Sequence, residues 1–293
     1  MDNMGLLQIQ IYTKKFFRTL RRESTVSVFI GIIITMLVMY VTQENMFKYY
    51  EGTKSGFFSL ICVCIWIGIF NSIQLVCREK NDIVKDELDK SLRATSYMAS
   101  HFIYQFLLCM VQSIIVFIVF MIFVGDKMTG SPLAYLITIF LIMYASDAMA
   151  FVISAAVPSP IVAMTVMPLL LLVQLVMAGV LFELNGMAKT VANFTVSKWG
   201  MSIFGMIGDI TNNFPSKVGG EALTQVTEQV EEQIGMSLQD PLTLDMISEV
   251  DRNMYVNDGG EVFLCWLILI AFIVVFYFLS VYALKSTTKK MKK

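Results

Sequence analysis

The chain alternates between long uninterrupted apolar blocks and polar segments. Six blocks are apolar on every side of a helix, whereas a helix of a soluble core carries a single apolar stripe. At 1.5 Å per residue, blocks of this length suit a hydrocarbon core about 30 Å thick. We therefore predict an all-α integral membrane protein with six transmembrane helices. The predicted spans are Val26–Val41, Phe57–Val76, Phe102–Val124, Leu133–Val157, Ile161–Phe182 and Val262–Leu284.

Composition agrees with this pattern. Apolar residues make up 56% of the chain and charged residues 15%, against about 25% charged residues in soluble domains. The net charge of −1 gives no reason to expect a nucleic-acid partner. Basic residues precede the first apolar block, but no small-x-small cleavage site follows it, so we expect a retained helix and not a signal peptide.

The distribution of basic residues predicts the orientation. With the N-terminus inside, fifteen of the 22 Lys and Arg residues fall on the inner side and seven on the outer side. Four of those seven belong to the long outer segment, and long segments cross a membrane largely regardless of charge. We expect a multi-pass protein of the plasma (inner cell) membrane with both termini in the cytoplasm.

Two amphipathic segments are predicted on the inner side. In residues 1–24, Ile9, Phe16 and Leu20 share one face opposite a basic face, which is typical of a helix lying among lipid headgroups; a simple topogenic charge cluster is the alternative. In residues 78–92, apolar positions such as Val84 and Leu88 recur every four residues among charges. This second pattern predicts a short helix beneath the membrane on which a partner docks, or else a solvated loop.

Residues 183–261 form a long outer segment. Its first part, Met187–Gly208, includes Trp199 and fits helices at the outer interface, where Trp is enriched. Its second part is acidic and is predicted to form a small helical cap, with Asp240 and Pro241 opening one helix. The chain is thus divided into a connecting helix at 1–24, spans one to five at 25–182, the outer segment at 183–261, the last span at 262–284 and a basic cytoplasmic tail at 285–293.

Catalytic and metal-binding motifs are missing from the sequence. His101 is the sole histidine, and no G-x-S-x-G, H-E-x-x-H or zinc-type cysteine spacing occurs. Without a G-x-x-x-x-G-K-[ST] loop the chain cannot cradle nucleotide phosphates in the P-loop way. Asp147 is the one carboxylate within a predicted span. It is either an ion or proton site or a partner in interhelical hydrogen bonds.

Three stretches of sequence, in this order, resemble the type V (ABCG-like) ABC transporter permeases. The first runs from Asn71 to Lys80 and continues through Glu87, Leu92, Tyr97 and Ser100. The second is Pro168–Phe182, which ends in Ala-Gly-Val-Leu-Phe. The third is Ser197-Lys198-Trp199-Gly200 with Gly205 and Asp209. The outer segment lacks the cysteines of eukaryotic members and no ATPase is fused, so the resemblance implies a bacterial half-system.

The resemblance also implies partners and site residues. A separate ABC ATPase subunit would bind ATP and Mg, and a second permease copy, identical or paralogous, would complete the complex. The chain itself would be no enzyme. The helix that meets the ATPase would contain Glu79, Lys80, Ile83, Val84, Lys85, Asp86, Glu87 and Leu88. The second and fifth spans would line the path of a hydrophobic or amphipathic substrate exported by alternating access, with Phe70, Asn71, Gln74, Met167, Leu171, Gln174 and Ala178 as candidates to face it.

Two other classes of function remain open from the residues alone. An ion-coupled secondary transporter would use Asp147, although the two halves show no inverted repeat. A membrane sensor would use the acidic outer cap, and an intramembrane enzyme is disfavoured by the missing catalytic constellations.

Overall fold

A computed structural model describes residues 3–19, 21–88, 94–182, 184, 186–214, 255 and 259–291, and its regular elements within those ranges are all helical. The predicted cap after residue 214 lies outside the described residues. The helices are α1 (Asn3–Thr19), α2 (Arg21–Thr42), α3 (Tyr50–Ser72), α4 (Leu75–Leu88), α5 (Ala94–Val124), α6 (Pro132–Ala156), α7 (Pro160–Met177), α8 (Met187–Ala192), α9 (Val196–Gly208), α10 (Ile210–Asn213) and α11 (Gly259–Met291).

The predicted all-α membrane fold is confirmed. Among the described residues, six helices are long and apolar enough to cross a membrane, namely α2, α3, α5, α6, α7 and α11. We call the end that carries α1 and α4 the inner end, and the opposite end the outer end. The fifth span is shorter than predicted, because Gly179 takes a φ of +74° just after α7. A left-handed glycine at this position is a common helix stop.

The centre of the bundle is the packed pair α3 and α6. These two helices bury most of their length, whereas α2, α7 and α11 expose most of theirs within the single chain. Gly68 allows the close approach: a Cβ there would overlap the carbonyl oxygen of Met143. Around this pair, α6 also packs against α5, α9 and α11.

A tight turn joins α6 to α7 at the inner end, as the sequence predicts. Residue Val157 ends the hydrogen-bonding of α6, and Pro160 occupies the first turn of α7, where its missing N–H costs nothing. Ser159 caps α7 by accepting a hydrogen bond from the Val162 N–H at 3.4 Å. The two spans are therefore antiparallel neighbours.

A second apolar cluster, the inner cluster, ties five helices together at the inner end. It contains Phe16 of α1, Ile83 of α4, Tyr97 of α5, Phe151 of α6 and Leu284 of α11, all of them buried. Helix α4 is consequently packed against the spans through Ile83 and is not a separate element beneath them.

Candidate functional site

Helix α4 follows α3 after only Ile73 and Gln74, so the predicted inner helix begins within the second apolar block. At its start, the N–H groups of Val76 and Cys77 donate to the Oγ atom of Ser154 at 3.1 and 3.2 Å. The first N–H groups of a helix have no acceptor within the helix. Ser154, on α6, supplies that acceptor and fastens α4 to a neighbouring span.

Lys80 makes a second attachment between α4 and α6. Its Nζ atom donates to the carbonyl oxygens of Ala155 and Val157 at 3.0 and 2.6 Å, and the side chain is 2% exposed. Cations near the end of a helix satisfy its last carbonyls and interact favourably with its dipole. The lysine predicted to meet an ATPase is therefore engaged inside this chain.

Glu79 faces α5. The hydroxyl of Tyr97 donates to Glu79 Oε2 at 2.6 Å, while His101 Nε2 lies 3.8 Å from the same oxygen, beyond hydrogen-bond distance. His101 is fully buried, with its ring stacked on Phe16 of α1 at a centroid separation of 3.8 Å. The inner ends of α1, α4 and α5 are thus joined around one carboxylate.

The apolar face of α1 packs against protein. Phe16 lies on His101 and Tyr97, and the Ser100 hydroxyl donates to the Ile9 carbonyl at 3.3 Å. The sequence predicts that this face meets lipid. The exposed face instead carries Leu7 and Ile11, which are 57% and 56% exposed, together with exposed cations. The exposed cations are Lys14, Lys15 and Arg18.

Ile83 is 3% exposed and belongs to the inner cluster, so it too is engaged within the chain. The positions of Val84, Lys85, Asp86, Glu87 and Leu88 continue the same helix to its end at residue 88, but their side chains lie outside the described residues. Their contact with an ATPase stays a prediction.

The three candidate path residues at the end of the second span, Phe70 and Asn71 on α3 and Gln74 just after it, have different surroundings. Phe70 is 40% exposed, and Gln74 accepts a hydrogen bond from Arg78. Asn71 lies at a junction of spans: it accepts from the Ser27 hydroxyl of α2 at 2.5 Å and donates to the Gln112 amide of α5 at 2.7 Å. Asn71 therefore joins three helices, and Phe70 is the candidate most open to a partner, lipid or substrate.

On α7, the candidates are turned mainly toward this chain. Met167, Gln174 and Ala178 are buried, and Leu171 is half-buried. Gln174 accepts from the Ser197 N–H at 3.1 Å and donates to the sulfur of Met149 at 3.5 Å. Whether any of the four faces a path in the assembled protein stays a prediction.

Asp147 is fully buried on α6 and accepts a hydrogen bond from the Ser72 hydroxyl of α3. Its second oxygen, Oδ2, has no hydrogen-bond partner among the described residues. Gln105 also buries an oxygen without a partner there, while its amide nitrogen donates to the Asn71 carbonyl at 3.3 Å. No group of three or more His, Cys, Asp or Glu that could hold a metal occurs in the described part of the chain.

Helix α9 is inserted between the spans at the outer end. It packs against α3, α6, α7 and α11 and buries all but two of its residues, Lys198 and Trp199 being half-buried. Its last carbonyl, at Gly208, accepts from the Thr129 hydroxyl at 2.8 Å. Both ends of α9 are therefore fastened, one by Gln174 and the other by the turn between α5 and α6.

The two half-buried residues of α9 face the short α8. The Trp199 indole donates to the Asn193 carbonyl at 2.8 Å, and the Lys198 ammonium lies 4.3 Å from the Trp199 ring centroid. Burial lowers the pKa of Lys198, and nearby Lys189 acts in the same direction. The position of Trp199 at the outer membrane interface stays a prediction.

Sequence reasoning missed Ser154, Ser27 and Gln105. A serine within a span has no sequence signal that separates a cap for another helix from a bond to its own helix, because both leave the same pattern. Gln105 carried a usable signal, since it is an amide within a largely apolar helix.

These observations define a multi-pass membrane protein whose second span continues into an inner helix and whose last two spans are separated by inserted outer helices. Comparison with protein families matches residues 7–205 to the ABC-2 type transporter family. The chain belongs to that family, and it is an ABC transporter permease. Comparison with curated proteins gives no match.

Proposed function

We propose that this chain is the permease subunit of an ATP-driven exporter of type V (ABCG-like) architecture, with a separate ATPase subunit in a bacterial half-system. Two permease copies, identical or paralogous, would move a hydrophobic or amphipathic substrate across the plasma membrane by alternating access. ATP and Mg would bind to the ATPase. Family membership supports the permease role, and the features of α4 and α7 support the finer assignment.

The observation that carries the proposal is the position of α4. It extends from the second span, it is hydrogen-bonded to α5 and α6, and through Ile83 it shares the inner cluster with α1 and α11. A push on α4 from the inner side would therefore reach four other helices. Permeases of this family generally work with an ATPase subunit, and a rigid helix attached to several spans is a suitable lever for one.

The burial of one side of α4 within this chain supports the opposite side as the face that would meet the ATPase. Glu79, Lys80 and Ile83 contact other helices of the same chain. They would therefore transmit the motion of α4 to those helices and would not contact the ATPase themselves. Helical periodicity puts positions 78 and 85 on the other side of α4, and the Arg78 side chain is exposed. We propose the outward positions, Lys85 foremost, as the docking face.

The second copy would lie against α7 and the exposed part of α3. Helix α7 is an apolar span that leaves most of its length uncovered in the single chain, with Leu169 and Leu172 exposed. Phe70 on α3 is exposed as well. A substrate path between two copies would have these surfaces on both sides.

Co-purification tests the ATPase assignment. The tagged chain, extracted in mild detergent from its own cells, should carry a P-loop ATPase. We expect Lys85→Glu to reduce the amount that co-purifies, whereas Lys127→Glu at the exposed outer turn should leave it unchanged. An intact transport-competent preparation without any ATP-hydrolysing subunit, or transport by the chain alone driven by a proton gradient, would contradict the proposal and favour ion coupling.

Cross-linking tests the arrangement of copies. With native cysteines replaced, Leu172→Cys on α7 should give a covalent pair of copies under mild oxidation, and Leu264→Cys on α11, equally exposed, should not. The reverse pattern would place the second copy on α11.

A further inference from the structure

The helical ladder is interrupted between α3 and α4. The Ile73 N–H still bonds back to Ile69 at 3.0 Å, and the Arg78 N–H bonds to Gln74 at 3.1 Å. Between them, the N–H groups of Val76 and Cys77 turn to Ser154 on α6. The interruption is thus stabilised by a side chain of another span, and it separates α4 from the span that precedes it.

One helical turn after Val76 and Cys77, Lys80 makes a second attachment between α4 and α6, nearer the inner end of α6. Its ammonium group bonds the carbonyls of Ala155 and Val157, which bracket the end of α6. The hydroxyl of Thr287 on α11 also donates to the Ala155 carbonyl, at 3.2 Å. Two attachments separated along α4 resist both sliding and rotation of α4 against α6. The first turns of α4 and the inner end of α6 therefore form one unit.

We propose that Ser154 and Lys80 are positioning residues that form a joint, through which α4 moves the turn between α6 and α7. This inference rests on the proposed function, since it assigns the route by which an ATPase would act. The flexible point lies at Ile73 and Gln74, because the joint holds α4 to α6 more firmly than the broken ladder holds it to α3. Movement of α4 is passed to Val157, to the Pro158–Pro160 turn and so to α7.

The local half of the inference can be tested on the chain alone in lipid nanodiscs. Hydrogen exchange of peptides covering Val76 and Cys77 should rise by about five- to tenfold in Ser154→Ala, the effect of losing hydrogen bonds to these amides. Ser113→Ala, whose hydroxyl bonds within its own helix, is the matched control and should leave that exchange unchanged. If hydrogen exchange of these peptides does not rise in Ser154→Ala, Ser154 does not cap α4.

The transmission half is tested in the complex that co-purifies with the tagged chain. Addition of a non-hydrolysable ATP analogue should change exchange in peptides covering 150–165 of the wild-type permease. In Lys80→Met this change should vanish, and Lys80→Arg, which keeps a donor, should restore it. Ser154→Ala gives a milder second variant in which the change should shrink.

The outcomes separate the two ideas. A nucleotide-dependent change in 150–165 that persists undiminished in both Lys80→Met and Ser154→Ala would refute the joint while leaving the ATP-driven permease intact. Absence of any ATPase from the wild-type complex would refute the proposed function, and the exchange result on the chain alone would still decide whether Ser154 caps α4.

Discussion

The hydroxyl of Ser72 donates to Oδ1 of Asp147 across the closely packed pair of helices α3 and α6. Oδ2 has no hydrogen-bond partner among the described residues. Within that part of the chain, the bond to Ser72 is therefore the hydrogen bond that the Asp147 side chain makes. Ser72→Ala should lower stability by about 1 kcal/mol, measured as a drop in melting temperature in detergent.

A double-mutant cycle isolates that contact. Ser72→Ala in a background of Asp147→Asn should cost less than in the wild-type chain, because the amide already alters the bond. Strictly additive losses would mean that Ser72 and Asp147 do not interact energetically. Ser59→Ala, whose hydroxyl bonds to the Ser55 carbonyl at an exposed site, is the control and should be nearly silent.

Gly68→Ala should destabilise the bundle. The added Cβ would meet the Met143 backbone and the Ser146 side chain, so α3 and α6 must separate, at a cost of about 1–3 kcal/mol. Gly259→Ala has open space around it and should change stability by less than about 0.5 kcal/mol. Equal melting temperatures for both variants would show that the close crossing is wrong.

Gln174→Leu should loosen the start of α9. It leaves the Ser197 N–H without its acceptor in a buried place, a loss of about 1–3 kcal/mol. Exchange of the amides at 197–199 should rise accordingly. Gln174→Glu keeps an acceptor and adds a negative charge near a helix N-terminus. The amides at 197–199 should therefore exchange more slowly in this variant than in the leucine variant. Comparable exchange in both would separate Gln174 from the capping of α9.

Phe16→Ala should release α1 from α5. The ring packs against both His101 and Tyr97, and deleting a buried phenylalanine costs about 3–5 kcal/mol. In nanodiscs, trypsin should then cut sooner at Lys14, Lys15 or Arg18. Leu7→Ala, on the exposed face, should leave the cleavage rate unchanged. Unaltered cleavage in Phe16→Ala would mean that the ring does not hold α1.

The number and approximate bounds of the spans could be predicted because each is a long run of apolar residues, and length together with apolar composition decides that a helix suits the membrane. The end of the fifth span could not. Val180, Leu181 and Phe182 continue the apolar run, while Gly179 stops the helix through its backbone conformation. Hydropathy carries no information about that choice.

The environment of the predicted functional residues was harder to predict than their position. The apolar face of α1 is evident in the sequence, but the same pattern serves lipid and protein, and here Phe16 contacts protein. Lys80 belongs to a charged stretch that resembles a solvated surface. It is buried because the last carbonyls of α6 offer acceptors, and these come from a segment some 75 residues away.

The fastening of α9 at both ends limits how the outer side of this protein can open. Gln174 links the helix to one span, and Thr129 links it to the loop between two others. If α7 moves away from its neighbours, α9 can move with it and lose the hydrogen bond from the Thr129 hydroxyl to the Gly208 carbonyl. Otherwise α9 stays in place, and the Ser197 N–H loses its acceptor on Gln174. Opening on the outer side would therefore take one of two discrete forms, in which α9 stays either with α7 or with the turn between α5 and α6.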